Sequence, residues 1–146
     1  MPQATKIQKW RRTQIHQIEK AFAQLVTDLK ESLVLDGIDA FDKRSGFRIR
    51  CHDLYGPLPD AIIEGTGEEY PVLDHVVREA AKLIAIARAR REIADLFPAG
   101  AEFMLPTLVD NGALAGIRWE SKIFLAEGGT HLEAYRELRL KVEKSS

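Results

Sequence analysis

The residues of this chain best suited to chemistry are few and scattered. Lys6, Lys9, Arg11 and Arg12 form a basic cluster with no acid before Glu19 to pair with them, and cations at helical spacing can neutralise phosphates. Trp10 lies within the cluster, where an indole could stack on a base or a sugar edge. A second cluster holds Arg88, Arg90 and Arg91. Arg88 has Glu92 and Arg91 has Asp95 four residues on, a spacing that pairs charges along a helix, which leaves Arg90 as the free cation. Lys6, Lys9, Arg11, Arg12 and Arg90 are therefore the candidates for contact with nucleic acid or an acidic partner.

Metal and acid–base chemistry finds less support. His75 and Glu79 share a helix face, and His131 beside Glu133 or His52 beside Asp53 could add ligands. No two histidines have the spacing of a zinc helix, and the single cysteine excludes a cysteine-rich finger. Cys51 and His52 adjoin on a strand, where neighbours point to opposite faces, so they do not form a nucleophile and base. Cys51 reads instead as a small buried apolar residue. Gly65-Thr66-Gly67 lacks the Gly-Lys-Ser/Thr of a phosphate loop and is followed by acids. The expectation is no catalytic residue, no metal and no cofactor, and so a protein that is not an enzyme.

These residues must be carried by 146 amino acids, 45% hydrophobic and 29% charged, enough for a real core without disulfide or metal. The net charge of −1 argues against general coating of nucleic acid, but it is polarised. Residues 1–30 carry six Lys or Arg against two acids, and residues 31–69 carry nine acids against four bases. No stretch reaches the apolar length of a bilayer span, and the first residues lack the apolar core of a signal peptide, so a cytoplasmic protein is expected.

Periodicity predicts one domain over 1–146, mainly α within an α+β class: long amphipathic helices packed with a small antiparallel sheet or hairpin. A first helix over 4–35 places Ile7, Ile15, Ile18, Phe22, Leu25, Leu29 and Leu33 on one face and closes at Asp36-Gly37. A strand and loop connector spans 36–69, where Phe47, Ile49 and Cys51 alternate with Arg48, Arg50 and His52. A central helix over 71–97 carries a seam of Val72, Val76, Ala80, Leu83, Ala87, Ala94 and Phe97, widened by Leu73, Val77, Ile84, Ile86 and Ile93. Residues 101–127 fit a hairpin or a helix, with Asp110-Asn111-Gly112 favouring a turn. A last helix over 131–144 has Thr130 as N-cap, Glu133 three residues on, and the pairs Glu137 with Lys141 and Arg139 with Glu143.

The functional expectation from these elements is a small non-enzymatic subunit or adaptor. It docks through its long amphipathic helices into a larger assembly or a homo-oligomer, with Ile7 and Trp10 as the partner-binding anchors. The alternative is a nucleic-acid-contacting accessory protein using the basic first helix. A small metal-dependent enzyme built around His75, Glu79 and His131 is the third reading.

Overall fold

The computed structural model describes residues 2–28, 32–40, 46–64, 69–97 and 99–145. In the first helix, side chains are described at Thr13 and from Ile15 onward, and in the second from His75 onward. The described residues form helices α1 (Pro2–Asp28), α2 (Glu69–Ala94) and α3 (His131–Ser145). The strands are β1 (Val34–Ala40), β2 (Gly46–Asp53), β3 (Gly56–Pro57), β4 (Ala61–Glu64), β5 (Glu102–Phe103), β6 (Thr107–Val109), β7 (Gly112–Trp119) and β8 (Lys122–Gly128). This corrects the mainly helical expectation. Among the described residues the strands form two antiparallel sheets of four strands each. The physical reason is that most of these strands are too short, or too interrupted by charge, for their period of two to stand out in sequence.

The chain divides into two compact units, residues 1–51 with 60–81 and residues 52–59 with 82–146. In the first unit, β2 pairs with β1 and with β4, Phe47 lying opposite Ile63 and Ile49 opposite Ala61. The alternation read on β2 is the one observed, with Phe47, Ile49 and Cys51 buried and Arg48 and Arg50 exposed. Ile18, Phe22, Val76 and Ala80 are buried in the same unit. Burying a side chain the size of Phe22 contributes about 1.5–3 kcal/mol.

The first helix does not run to Asp36. Residues 34–40 are strand, and Gly37 closes no helix. A side chain there would put its Cβ 2.6 Å from Arg50 Nη2, so the missing side chain lets the Arg50 guanidinium lie against β1. Arg50 Nε then donates to Asp39 Oδ2 at 2.9 Å. Cross-strand pairing here overrides a helical spacing that ran on through Leu29 and Leu33.

In the second unit β7 is the central strand of its sheet, with β8 along one side and β5 and β6 in succession along the other. Residues 114–126 are thus hairpin, not helix, and the expected turn at Asp110-Asn111 joins β6 to β7. A second tight turn, Glu120-Ser121, joins β7 to β8, since Trp119 lies opposite Lys122. Both turn residues have positive φ, 47° and 66°, the mirror-type hairpin turn that favours Asn-Gly. Replacing Glu120-Ser121 by Asn-Gly is expected to stabilise the protein by about 1–2 kcal/mol. Thermal unfolding should show a rise of several degrees, and an unchanged midpoint would contradict the turn.

Helix α3 packs on β7 and β8 through Ala134, Tyr135, Leu138 and Val142, spaced to fall on one helix face. Ala113, Ala115, Ile117 and Ala126 are buried, the small ones allowing helix and sheet to approach closely. The predicted cap is present: Glu133 N donates to Thr130 Oγ1 at 3.2 Å, while Glu133 Oε2 accepts from Gly129 N at 3.0 Å. Arg139 donates to Glu143 at 2.9 Å as expected, and also to Glu92 of α2 at 2.6 Å. Lys141 instead donates to the Leu125 carbonyl at 2.8 Å. Among the described residues no helix is long and apolar enough to cross a membrane.

Candidate functional site

Two features of the second unit stand out, a closed polar centre and an open apolar face. The polar centre is built on Arg90, which is only 1% exposed. Its Nε and Nη2 both donate to the Tyr135 hydroxyl, at 3.0 and 2.8 Å. Nη1 donates to Asp53 Oδ1 at 3.2 Å and to the Gly56 carbonyl at 3.3 Å, and Nη2 to the Pro57 carbonyl at 2.7 Å. These bonds occupy the five N–H groups of the guanidinium. Its plane also lies near the Tyr135 and Phe103 rings, 5.1 and 5.6 Å from their centroids.

The local sequence explains how these groups converge. Asp53 ends β2 and accepts from Tyr55 N at 2.8 Å, which turns the chain into β3, where Asp53 lies opposite Gly56. The turn brings the Gly56 and Pro57 carbonyls toward the guanidinium. Gly56 has φ 116°, which an L side chain rarely adopts. Asp53 is 8% exposed and its second oxygen, Oδ2, is buried without a hydrogen bond. The carboxylate and the guanidinium therefore compensate each other's charge away from water.

Burial raises the Tyr135 pKa, an effect that Arg90 opposes through its charge and hydrogen bond and that Asp53 reinforces. Burial also lowers the His131 pKa, and the Arg90 charge acts in the same direction. The Tyr135 hydroxyl is engaged by two Arg90 donors, and His131 Nδ1 is buried without a partner.

The expectation that Arg90 stands free is thereby corrected. A buried guanidinium with its donors taken has none left for a phosphate or an acidic side chain. The sequence did carry a signal: Arg90 falls between Ala87 and Ala94 at helical spacing, on the buried seam of α2 itself. Lys6, Lys9, Arg11 and Arg12, with Ile7 and Trp10, lie on the helical backbone of α1, but their side chains are outside the described residues. His75 and Glu79 are half-buried on α2, and His131 is half-buried at the start of α3. Among the described residues no group of three or more His, Cys, Asp or Glu side chains could hold a metal ion. Cys51 is buried, in line with its reading as a small apolar residue.

The open face is the side of the second sheet turned away from α3. Because side chains alternate, the register fixes its members. Ile117, Phe124, Ala115 and Ala126 face α3, whereas Glu102, Arg118 and Ile123 form one row on the opposite side and Thr107, Leu114 and Glu127 another. Between these rows Leu125 lies opposite Gly116. A Cβ on Gly116 would stand 2.8 Å from both Leu125 Cδ2 and Met104 Sδ, so these two side chains meet over the glycine. Ile123 is 53% exposed and Leu125 43%. Glu102, Arg118 and Glu127 are exposed around this stripe. A contiguous apolar strip rimmed by charge is the kind of surface that marks contact with another macromolecule. Reading by sequence alone missed it because the hairpin turn, and hence the phase of β8 against β7, was not fixed.

No protein-family model matches the chain, and no curated protein matches it either.

Proposed function

We propose that this protein is a small non-enzymatic subunit that works by docking to another protein surface, through the outer face of its second sheet. The observation that carries the reading is the exposure of Ile123 and Leu125 on a sheet face rimmed by Glu102, Arg118 and Glu127. The buried charges supply no competing chemistry, because the guanidinium donors of Arg90 are consumed internally. The docking surface in this reading is a sheet face, while the side chains of Ile7 and Trp10 on α1 lie outside the described residues. The basic first helix supports a second reading, contact with nucleic acid through Lys6, Lys9, Arg11 and Arg12, which rests on sequence alone. A cytoplasmic setting suits both readings and the lone buried thiol.

Thiol labelling tests the docking surface. In a Leu125→Cys variant, kept dilute, the new thiol should react with a bulky maleimide at nearly the rate of the unfolded chain, while buried Cys51 reacts slowly and serves as the internal control. Protection of position 125 in dilute protein of monomer mass would mean that the chain covers this face itself, and the reading would fail.

A further inference from the structure

We propose that Lys141 guards the open edge of the second sheet, holding off a further strand that β8 is otherwise built to accept. Among the described residues β8 pairs with β7 alone, through 7 residues in unbroken register and without proline. The two-residue turn at Glu120-Ser121 makes Trp119 and Lys122 a hydrogen-bonded pair, and bonded pairs then alternate with unbonded ones along the hairpin. Ile123, Leu125 and Glu127 fall in the unbonded pairs, so their N–H and C=O groups point away from β7. Two contacts fix the same phase independently. Gly116, opposite Leu125, turns its carbonyl away from β8 to accept from Met104 N at 2.9 Å. The Leu125 carbonyl accepts from Lys141 Nζ at 2.8 Å.

A row of outward N–H and C=O groups on a straight edge is a template for another strand, and Ile123 and Phe124 favour the extended conformation. The other side of β7 presents no such row, because β5 and β6 are short and residues 104–106, with Pro106, interrupt them. Leu125 is the middle residue of β8. An added strand would lie about 4.8 Å from β8 and take the Leu125 carbonyl as an acceptor. The Lys141 ammonium already stands there, reaching that carbonyl from an exposed position on α3. An incoming backbone must displace it and leave a cation beside a newly covered edge. Lysine suits this task, since an ammonium donates but does not accept; it satisfies the carbonyl and offers an incoming N–H nothing to bond. The edge and the outer face are different surfaces, so this role goes beyond the docking reading and does not depend on it.

Hydrogen exchange and self-association test the guard together, with circular dichroism to show that each variant is folded. In dilute wild-type protein the amides of Ile123, Leu125 and Glu127 should exchange about tenfold or more faster than those of Phe124 and Ala126, which bond to β7. Lys141→Met keeps the aliphatic stem and loses the donor and the charge. In sedimentation velocity it should associate at concentrations roughly tenfold lower than the wild type, and the three outward amides should gain protection as it does. Lys141→Arg keeps a donor and a charge, and Lys144→Met removes the same charge from another exposed position on α3; each should stay within about threefold of the wild type. Association of Lys141→Met that is no tighter than that of the wild type, or that Lys144→Met or Lys141→Arg matches, overturns the proposal. So does tighter association that leaves the three amides unprotected, because the new contact then lies elsewhere. Equally slow exchange of all five amides in the dilute wild type overturns it too, since the edge would already be covered.

Discussion

Replacing Arg90 by methionine is expected to destabilise the protein by about 3–5 kcal/mol, the usual cost of removing one partner from a buried ion pair. Methionine can fill much of the space but can donate nothing. Asp53 would keep its charge with Tyr55 N as its remaining donor, and the Gly56 and Pro57 carbonyls and the Tyr135 hydroxyl would each lose a donor. Lysine should rescue little, since a point ammonium cannot reproduce a planar fork that reaches four acceptors. Adding Asp53→Leu to Arg90→Met should recover part of the loss, because no unpaired charge then remains in the interior. Urea unfolding of the two single variants and the double variant measures this coupling. A loss below about 1 kcal/mol for Arg90→Met would mean that the guanidinium is solvated, as an exposed cation is.

The second large effect belongs to Gly128, where alanine is expected to cost about 3 kcal/mol or more. A Cβ there would stand 2.5 Å from Ala134 N and 2.8 Å from the Glu133 carbonyl carbon, both in the backbone of the first turn of α3. Neither atom can move without shifting α3 off the sheet. Gly112→Ala belongs to the same class, its Cβ falling against the Gly128 carbonyl oxygen. Gly116→Ala is the control. Its neighbours, Leu125 Cδ2 and Met104 Sδ, are the far ends of flexible side chains and can turn aside at a cost of about 1 kcal/mol or less. Alanine ordinarily favours a strand over glycine by roughly 0.5–1 kcal/mol, so the sign at Gly112 and Gly128 is set by contact alone. Thermal unfolding of the three variants should place Gly112 and Gly128 together, well below Gly116. Equal losses at all three would contradict the close seating of α3.

What was legible in the sequence was local. Phe47, Ile49 and Cys51 alternate with charged residues over a full strand, and Thr130 with Glu133 marks the start of α3. In each case the signal lies within a few residues and agrees with the final environment. The boundary after α1 was not legible, because Leu29 and Leu33 continue the helical spacing and no proline or glycine interrupts it before Gly37. What makes residues 34–40 a strand is β2, a partner farther along the chain, together with the Arg50 guanidinium that Gly37 makes room for.

The same holds for the site. Arg90 sits on the buried seam of α2, but only Asp53, 37 residues away, and Tyr135, 45 residues away, explain why burial is tolerated. Ile117 and Trp119 alternate with the same phase as Ile123 and Leu125 in sequence, yet the two-residue turn at Glu120-Ser121 sets them on opposite faces. That turn decides which apolar residues enter the core and which form the outer face.

The most direct test of the account is the mass of the purified protein by light scattering, at low and high salt, with and without a short nucleic acid. The predicted result is a mass that nucleic acid leaves unchanged at either salt concentration, since the proposed docking surface is the sheet face that exposes Ile123 and Leu125 rather than a basic helix. A monomer that gains mass only with nucleic acid, and only at low salt, would contradict it and make the basic first helix the working surface.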